Sequence, residues 1–203
     1  MTCWLIIPVK PPHQAKSRLS EVLSEDQRAK LARSMLRHVF GAALAAGGVD
    51  QIALLGPSRL GLPGDVMLLG DPGGGLNPAV ESALAHVADE GAGRMIVLFA
   101  DLPLLTSQDV ERLAAAPSGT IAIAPDRHGT GTNALSLPIP AAKGFTFAFG
   151  TDSFAAHRAE AGRLGLRIEL VHSPGLARDV DVPDDLVDAQ GLADALGMRG
   201  PGD

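Results

Sequence analysis

An α/β sandwich built around a mostly parallel sheet is the architecture this sequence points to. Short apolar runs alternate with helix-length patterns along the chain. Gly/Pro/Asp-rich loops separate them, and the runs are apolar throughout, as in strands buried on both faces. In such sheets ligands sit beyond the carboxyl ends of the strands, so the residues just after each run are the ones to inspect.

Taken in order, residues 4–9 read as a buried strand, followed by a polar loop from residue 10 to about residue 20. Ser24 opens a helix with Gln27 as the partner in a capping box. Leu31, Met35, Leu36, Val39, Phe40, Ala43 and Leu44 then form one apolar stripe, ended by Gly47 and Gly48. Residues 51–55 and 66–69 are strand candidates around a Gly/Pro-rich loop at 56–64. The glycine-rich loop 70–75 feeds a helix in which Asn77 is the expected N-cap and Pro78 the first helical residue.

Residues 94–100 hold the clearest buried strand, with Asp101 directly after it; Pro103 favours an extended Leu102. Thr106 and Asp109 resemble a capping box, with Leu105 and Val110 at the hydrophobic-staple positions. Strands are expected at 121–124 and 134–137, with a loop at 129–132 between them. Residues 145–150 lead to a helix over about 152–164, capped by Asp152 or Thr151, and 166–171 form the last strand. Residues 179–183 are a turn opening a C-terminal helix, and 200–203 a frayed tail. No repeat or long linker divides the 203 residues, so one domain is expected.

Composition narrows the function. With six Phe, one Trp and no Tyr, the core rests on Leu, Val, Ile and Ala, and base-stacking platforms are poorly supplied. The formal net charge of −6 also argues against a nucleic-acid partner. Cys3 is the single cysteine, which excludes an internal disulfide or a thiolate zinc cage. The N-terminal apolar run ends at Pro8, too short for a signal peptide, and no run approaches the roughly 20 residues of a membrane span. A soluble, cytoplasmic protein is expected, with no membrane partner; a homodimer is one outcome for an oligomeric state the sequence leaves open.

Four features carry chemistry. Asp101 should project at the carboxyl edge of the sheet, either capping a turn or binding a ligand. Asp179 and Asp181, two apart, share a side in an extended segment and repel each other unless a cation lies between them. Alternatively they belong, with Asp184 and Asp185, to an acidic helix start. One or two carboxylates with substrate phosphates are the usual way to hold Mg²⁺. Lys10, Lys16 and Arg18 stand in a 20-residue segment without an acidic residue, read as a solvated loop or a triphosphate clamp. The loops at Gly75–Asn77, Gly129–Thr132 and Phe149–Ser153 offer N–H and hydroxyl donors to an anion, or merely mark turns. Gly129-Thr-Gly131 is not a dinucleotide fingerprint, because a strand rather than a helix follows. No role falls to His38, His86 or His157.

Six blocks in order resemble the CofC/FbiD guanylyltransferases, which make the precursor of the deazaflavin coenzyme F-420. They are Ile7-Pro-Val-Lys10 with Ala15-Lys-Ser-Arg-Leu19, Gly75-Leu-Asn77, Ala100-Asp-Leu-Pro-Leu104, Gly129-Thr-Gly-Thr132, Phe149-Gly-Thr-Asp-Ser153 and Asp179-Val-Asp181-Val-Pro183. The resemblance covers about residues 5–190. It implies a nucleotidyltransferase fold of the glycosyltransferase-A type. It also implies transfer of GMP from GTP to 2-phospho-L-lactate, phosphoenolpyruvate or 3-phospho-D-glycerate, with Mg²⁺ as cofactor. By block, Asp101, Asp179 and Asp181 match the metal-binding aspartates, and Thr132, Gly150 and Ser153 the acid contacts. Lys10, Lys16 and Arg18, with Gly75, Leu76, Asn77 and Asp101, fall on the nucleotide side; Asp101, Lys16 and Arg18 are the expected catalytic groups. Pro78 stands where relatives often carry Ala. The competing readings are a transferase with a molybdopterin or sugar-phosphate acceptor, and a non-catalytic nucleotide-binding module. The first usually has a glycine-rich loop after the opening strand, where this chain has Pro8-Val-Lys-Pro-Pro-His13.

Overall fold

The computed structural model describes residues 2–11 and 16–187. Strands β1 (Cys3–Pro8), β2 (Gln51–Leu55), β3 (Met67–Leu69), β4 (Arg94–Leu98), β5 (Thr120–Pro125), β6 (Thr132–Pro138) and β7 (Arg167–Leu170) form one sheet. Its order is β3-β2-β1-β4-β6-β5-β7. β1 lies parallel to β2 and β4, β2 to β3, and β5 to β7. β6 alone among them runs antiparallel to its neighbours, β4 and β5. The mostly parallel sheet is therefore as expected, with one reversed strand inserted by the β5–β6 hairpin.

Strand periodicity explains why the runs are apolar throughout. Along β1, Cys3, Leu5 and Ile7 enter one core and Trp4 and Ile6 the other. β4 repeats the division: Ile96 and Leu98 on the first face, Met95 and Val97 on the second. The first face is covered by α1 (Glu25–Ala45) and α3 (Ser107–Ala114), through Leu36, Val39, Val110 and Leu113. The second is covered by α2 (Leu76–Asp89) and α4 (Ser153–Arg163), through Val80, Ala83 and Ala161. Burial on both faces leaves no polar alternation in the central strands.

Both capping boxes form, Ser24 with Gln27 and Thr106 with Asp109. Several expectations need correcting. Leu44 is 62% exposed at the edge of the α1 stripe. The strand before Asp101 ends at Leu98, so Asp101 lies three residues beyond it. The N-cap of α2 is Gly75, not Asn77, and Pro78 is the third helical residue. Gly75 has φ 97, a conformation open to glycine. Pro78 is tolerated there because first-turn N–H groups have no intrahelical partner. Asp152 does precede α4, but in a left-handed conformation with no side-chain cap bond. A short helix not foreseen in the sequence, α5 (Pro174–Ala177), is capped by Ser173; α6 (Pro183–Val187) begins at the expected proline. The tail 200–203, the rest of the C-terminal helix and Ala15 lie outside the described residues. Among the described residues no helix is long and apolar enough to cross a membrane.

Candidate active site

The basic loop and the aspartates meet through a small apolar anchor. A 3-10 turn at Ser17–Leu19 buries Leu19 completely against Leu31 and Met35 of α1 and against Val180. Val180 lies between Asp179 and Asp181, so packing it inward turns the flanking carboxylates the other way. The backbone N–H of Val180 donates to the Asp101 carbonyl at 3.2 Å, tying this segment to the loop beyond β4.

Lys16 sits at the junction. Its backbone is left-handed (φ 53), and its Nζ donates to Asp101 Oδ2 at 2.5 Å and Asp181 Oδ1 at 3.0 Å. Burial lowers the Lys16 pKa, but the two carboxylates outweigh it and the net shift is upward. Arg18 approaches Asp181 Oδ2 at 3.8 Å from the exposed side. Burial, then the charges of Asp101 and Asp181, hold the Asp179 carboxyl above its usual range. Asp101 Oδ1 is buried without a hydrogen-bond partner. As they stand, no three His, Cys, Asp or Glu side chains among the described residues form a ready metal cage; an ammonium lies between the carboxylates instead. Lys10 is exposed just past β1.

A second cluster gathers the remaining candidates. The Asn77 carboxamide is committed to one backbone unit: its Nδ2 donates to Phe149 O at 3.1 Å and its Oδ1 accepts from Phe149 N–H at 2.8 Å. Residues Gly75 and Leu76 at the start of α2 are thereby fixed relative to Gly150. Gly150 has φ 132, and a Cβ there would meet nothing within 4 Å, so the backbone and not crowding calls for glycine. Its carbonyl accepts from Ser153 N–H at 3.3 Å, and Ser153 is buried at the start of α4. Thr132, buried at the start of β6, bonds through Oγ1 to His157 Nδ1 at 3.0 Å. Phe99, two residues before Asp101, packs on Phe149 with ring centroids 5.2 Å apart, which joins the clusters.

Sequence places Asp185 only in an acidic helix start and gives His157 no role. The Asp185 carboxylate accepts from the N–H groups of Asp181 at 2.6 Å and Val182 at 2.9 Å, and pairs with Arg127. Burial works against its ionised form, but these donors prevail and hold its pKa down. Asp185 therefore shapes the turn that presents Asp181; Pro183 with an acid two residues on was the visible signal. His157 gave no signal, since its partners are distant in sequence.

The family match and the curated relatives define a class that this fold suits: the chain is an α/β nucleotidyltransferase. A Desulfovibrio desulfuricans protein assigned as a nucleotide-diphospho-sugar transferase shares the fold with a TM-score of 0.75 at 20% identity, over 99% of this chain and 92% of that one. Residues 3–190 match the family described as guanylyl transferase CofC like, and the chain belongs to that family. It is 40% identical over 199 residues to the phosphoenolpyruvate guanylyltransferase of Sphaerobacter thermophilus, covering 95% of each chain. It is 38% identical over 198 residues to the 2-phospho-L-lactate guanylyltransferase of Halorubrum lacusprofundi, covering 97% of this chain and 88% of that one.

Proposed function

We propose that this chain transfers GMP from GTP to a small phosphorylated three-carbon acid and releases pyrophosphate, serving synthesis of the deazaflavin coenzyme F-420. Phosphoenolpyruvate is the first acceptor to test, 2-phospho-L-lactate and 3-phospho-D-glycerate the next. The observation that carries the reading is the cation position between Asp101 and Asp181, beyond the carboxyl end of β4 and filled by the Lys16 ammonium.

That position suits Mg²⁺. The donors are hard carboxylate oxygens, one Asp101 oxygen lacks any partner, and a cation already stands there as an ammonium. Asp101 and Asp181, with Asp179 beside them, would hold the ion. Bound there, it supplies positive charge against the phosphates of both substrates.

The chain's own residues do the rest. Lys16 and Arg18 offset the triphosphate's charge, and Lys10 extends the positive edge. Gly75 and Leu76 present the start of α2 to the nucleotide, with Asn77 holding that start in register. Thr132, Gly150 and Ser153 receive the acid. A phosphate oxygen of the acid bonds to the α-phosphorus of GTP, the bond from that phosphorus to the bridging oxygen breaks, and pyrophosphate leaves with the electron pair. A phosphomonoester has a second pKa of about 6, so it arrives largely dianionic and no strong general base is required.

Pyrophosphate release across a matrix of nucleoside triphosphates and acids tests the reading. Release is expected only with GTP, a divalent cation and one of the three acids together. Release with sugar phosphates in place of the acids, or with no acceptor, would overturn it.

A further inference from the structure

His157 is fully buried on α4, one helical turn past Ser153, and the proposed reaction does not use it. Both ring nitrogens are engaged. Nε2 lies 3.1 Å from the backbone N of Ala148, and Nδ1 lies 3.0 Å from Thr132 Oγ1. A backbone N–H only donates, so Nε2 must be the bare, accepting nitrogen. The ring proton is then on Nδ1 and is donated to Thr132 Oγ1. The opposite tautomer, or an imidazolium, would set N–H against N–H in a buried site. Burial, which pushes the His157 pKa down to about 4, keeps the ring neutral at ordinary pH.

The consequence falls on Thr132. A hydroxyl that accepts from His157 must look elsewhere to donate its own proton. Among the described residues no other hydrogen bond engages that hydroxyl. The ring is held in place by Phe149, edge-on at 4.7 Å between centroids, and the Phe149 backbone is clamped by Asn77. One imidazole thus orients a hydroxyl on β6 and anchors the loop that ends at Gly150.

We propose that His157 is a positioning residue for the acid site: its Nδ1–H holds Thr132 Oγ1 as an acceptor, so that the Thr132 hydroxyl proton points away from the ring and is offered to an acceptor-only anionic group of the substrate. The proposal rests on the reading of Thr132 and Gly150 as acid contacts. It accounts for a buried polar side chain in that site: with its proton undonated within the described residues, the hydroxyl offers that proton to a phosphate or carboxylate oxygen of the substrate.

Two measurements test it separately. Nitrogen NMR of the imidazole in the intact wild-type protein at neutral pH is expected to show protonated Nδ1 and bare Nε2; the reverse tautomer would overturn the proposal without any variant having to fold. In kinetics, His157→Phe and Thr132→Val are each expected to raise KM for the acid roughly ten- to a hundred-fold, with KM for GTP and kcat changed less than about two-fold. The double variant should lose clearly less than the two single losses combined, because part of what His157 contributes passes through that hydroxyl. His157→Asn, which keeps an amide N–H near the place of Nδ1–H, should recover part of the acid affinity lost in His157→Phe. Additive losses, or equal losses on both substrates, would mark a role in folding alone and refute the proposal. The expected tautomer combined with a loss confined to GTP would instead overturn the assignment of the acid to Thr132 and Gly150.

Discussion

Lys16→Met removes the ammonium that Asp101 and Asp181 share while keeping a side chain of similar length. Two charge-assisted hydrogen bonds disappear, at 2.5 and 3.0 Å, each worth about 1.5–3 kcal/mol. Two effects offset the loss. The Lys16 side chain is only 8% exposed, so the variant no longer buries an ammonium. The Asp181 side chain keeps 44% exposure, and water takes over much of its solvation. Asp101 has no such relief: at 24% exposure it already carries one unpaired oxygen, and Asp179 and Asp181 now face it with only the exposed Arg18 nearby. The net cost is about 2–3 kcal/mol, or a fall in Tm of about 5–10 °C for a chain of this size. A divalent cation should reverse it. In the variant the ion need not displace an ammonium, and at a hundred times its Kd it stabilises by about 2.7 kcal/mol. Thermal melts of both proteins in EDTA and in magnesium chloride read this directly. The variant is expected to show a lower Tm in EDTA and a larger magnesium-induced rise than wild type. An unchanged Tm, or equal rises in the two proteins, would refute it.

Asp101→Asn is expected to lower turnover by about a thousandfold or more with far-ultraviolet circular dichroism unchanged; a near wild-type rate would remove Asp101 from the site. Asn77→Ala frees both polar groups of the Phe149 backbone and should cost about 2–3 kcal/mol in urea unfolding, where a loss under about 0.5 kcal/mol would contradict the clamp. For His157, burial lowers the folded pKa from the ordinary 6.5 to about 4, so between those values the unfolded chain binds a proton that the folded chain does not. Its contribution is fully present above about pH 6.5 and is lost as pH falls toward about 4, by up to about 3 kcal/mol. Urea midpoints of wild type and His157→Phe near neutrality and at mildly acidic pH should differ in slope accordingly; parallel curves would contradict the shift.

The layered architecture was legible because strand burial on both faces leaves a plain mark: runs such as Trp4 to Ile7 and Met95 to Leu98 carry no polar residue. The caps at Ser24 and Thr106 were legible because both partners lie within three residues. Asn77 was misassigned for the opposite reason. Its local chemistry suits an N-cap, but its amide is taken by Phe149, 72 residues away, and Gly75 caps in its place. The place of β6 between β4 and β5 depends on hairpin closure and sheet order, which local periodicity does not encode. At the site, the carboxylates of Asp101, Asp179 and Asp181 were visible one by one. Their meeting with Lys16 depends on Leu19 packing against Val180, and on a left-handed turn at a lysine that carries no marker in sequence. His157 was hidden because its Thr132 partner lies on another element of the fold, and the role of Asp185 because, besides capping the turn just before it, it pairs with the distant Arg127.

Phosphorus NMR of the reaction mixture follows the acid's own phosphate as it becomes joined to the α-phosphorus of GTP. With phosphoenolpyruvate, GTP and magnesium, the acid's single phosphate resonance is expected to give way to a pair of mutually coupled diphosphate resonances as pyrophosphate appears in equal amount. An acid resonance that stays unchanged while GTP is consumed, or a product in which the acid's phosphate is uncoupled to GMP, would contradict it.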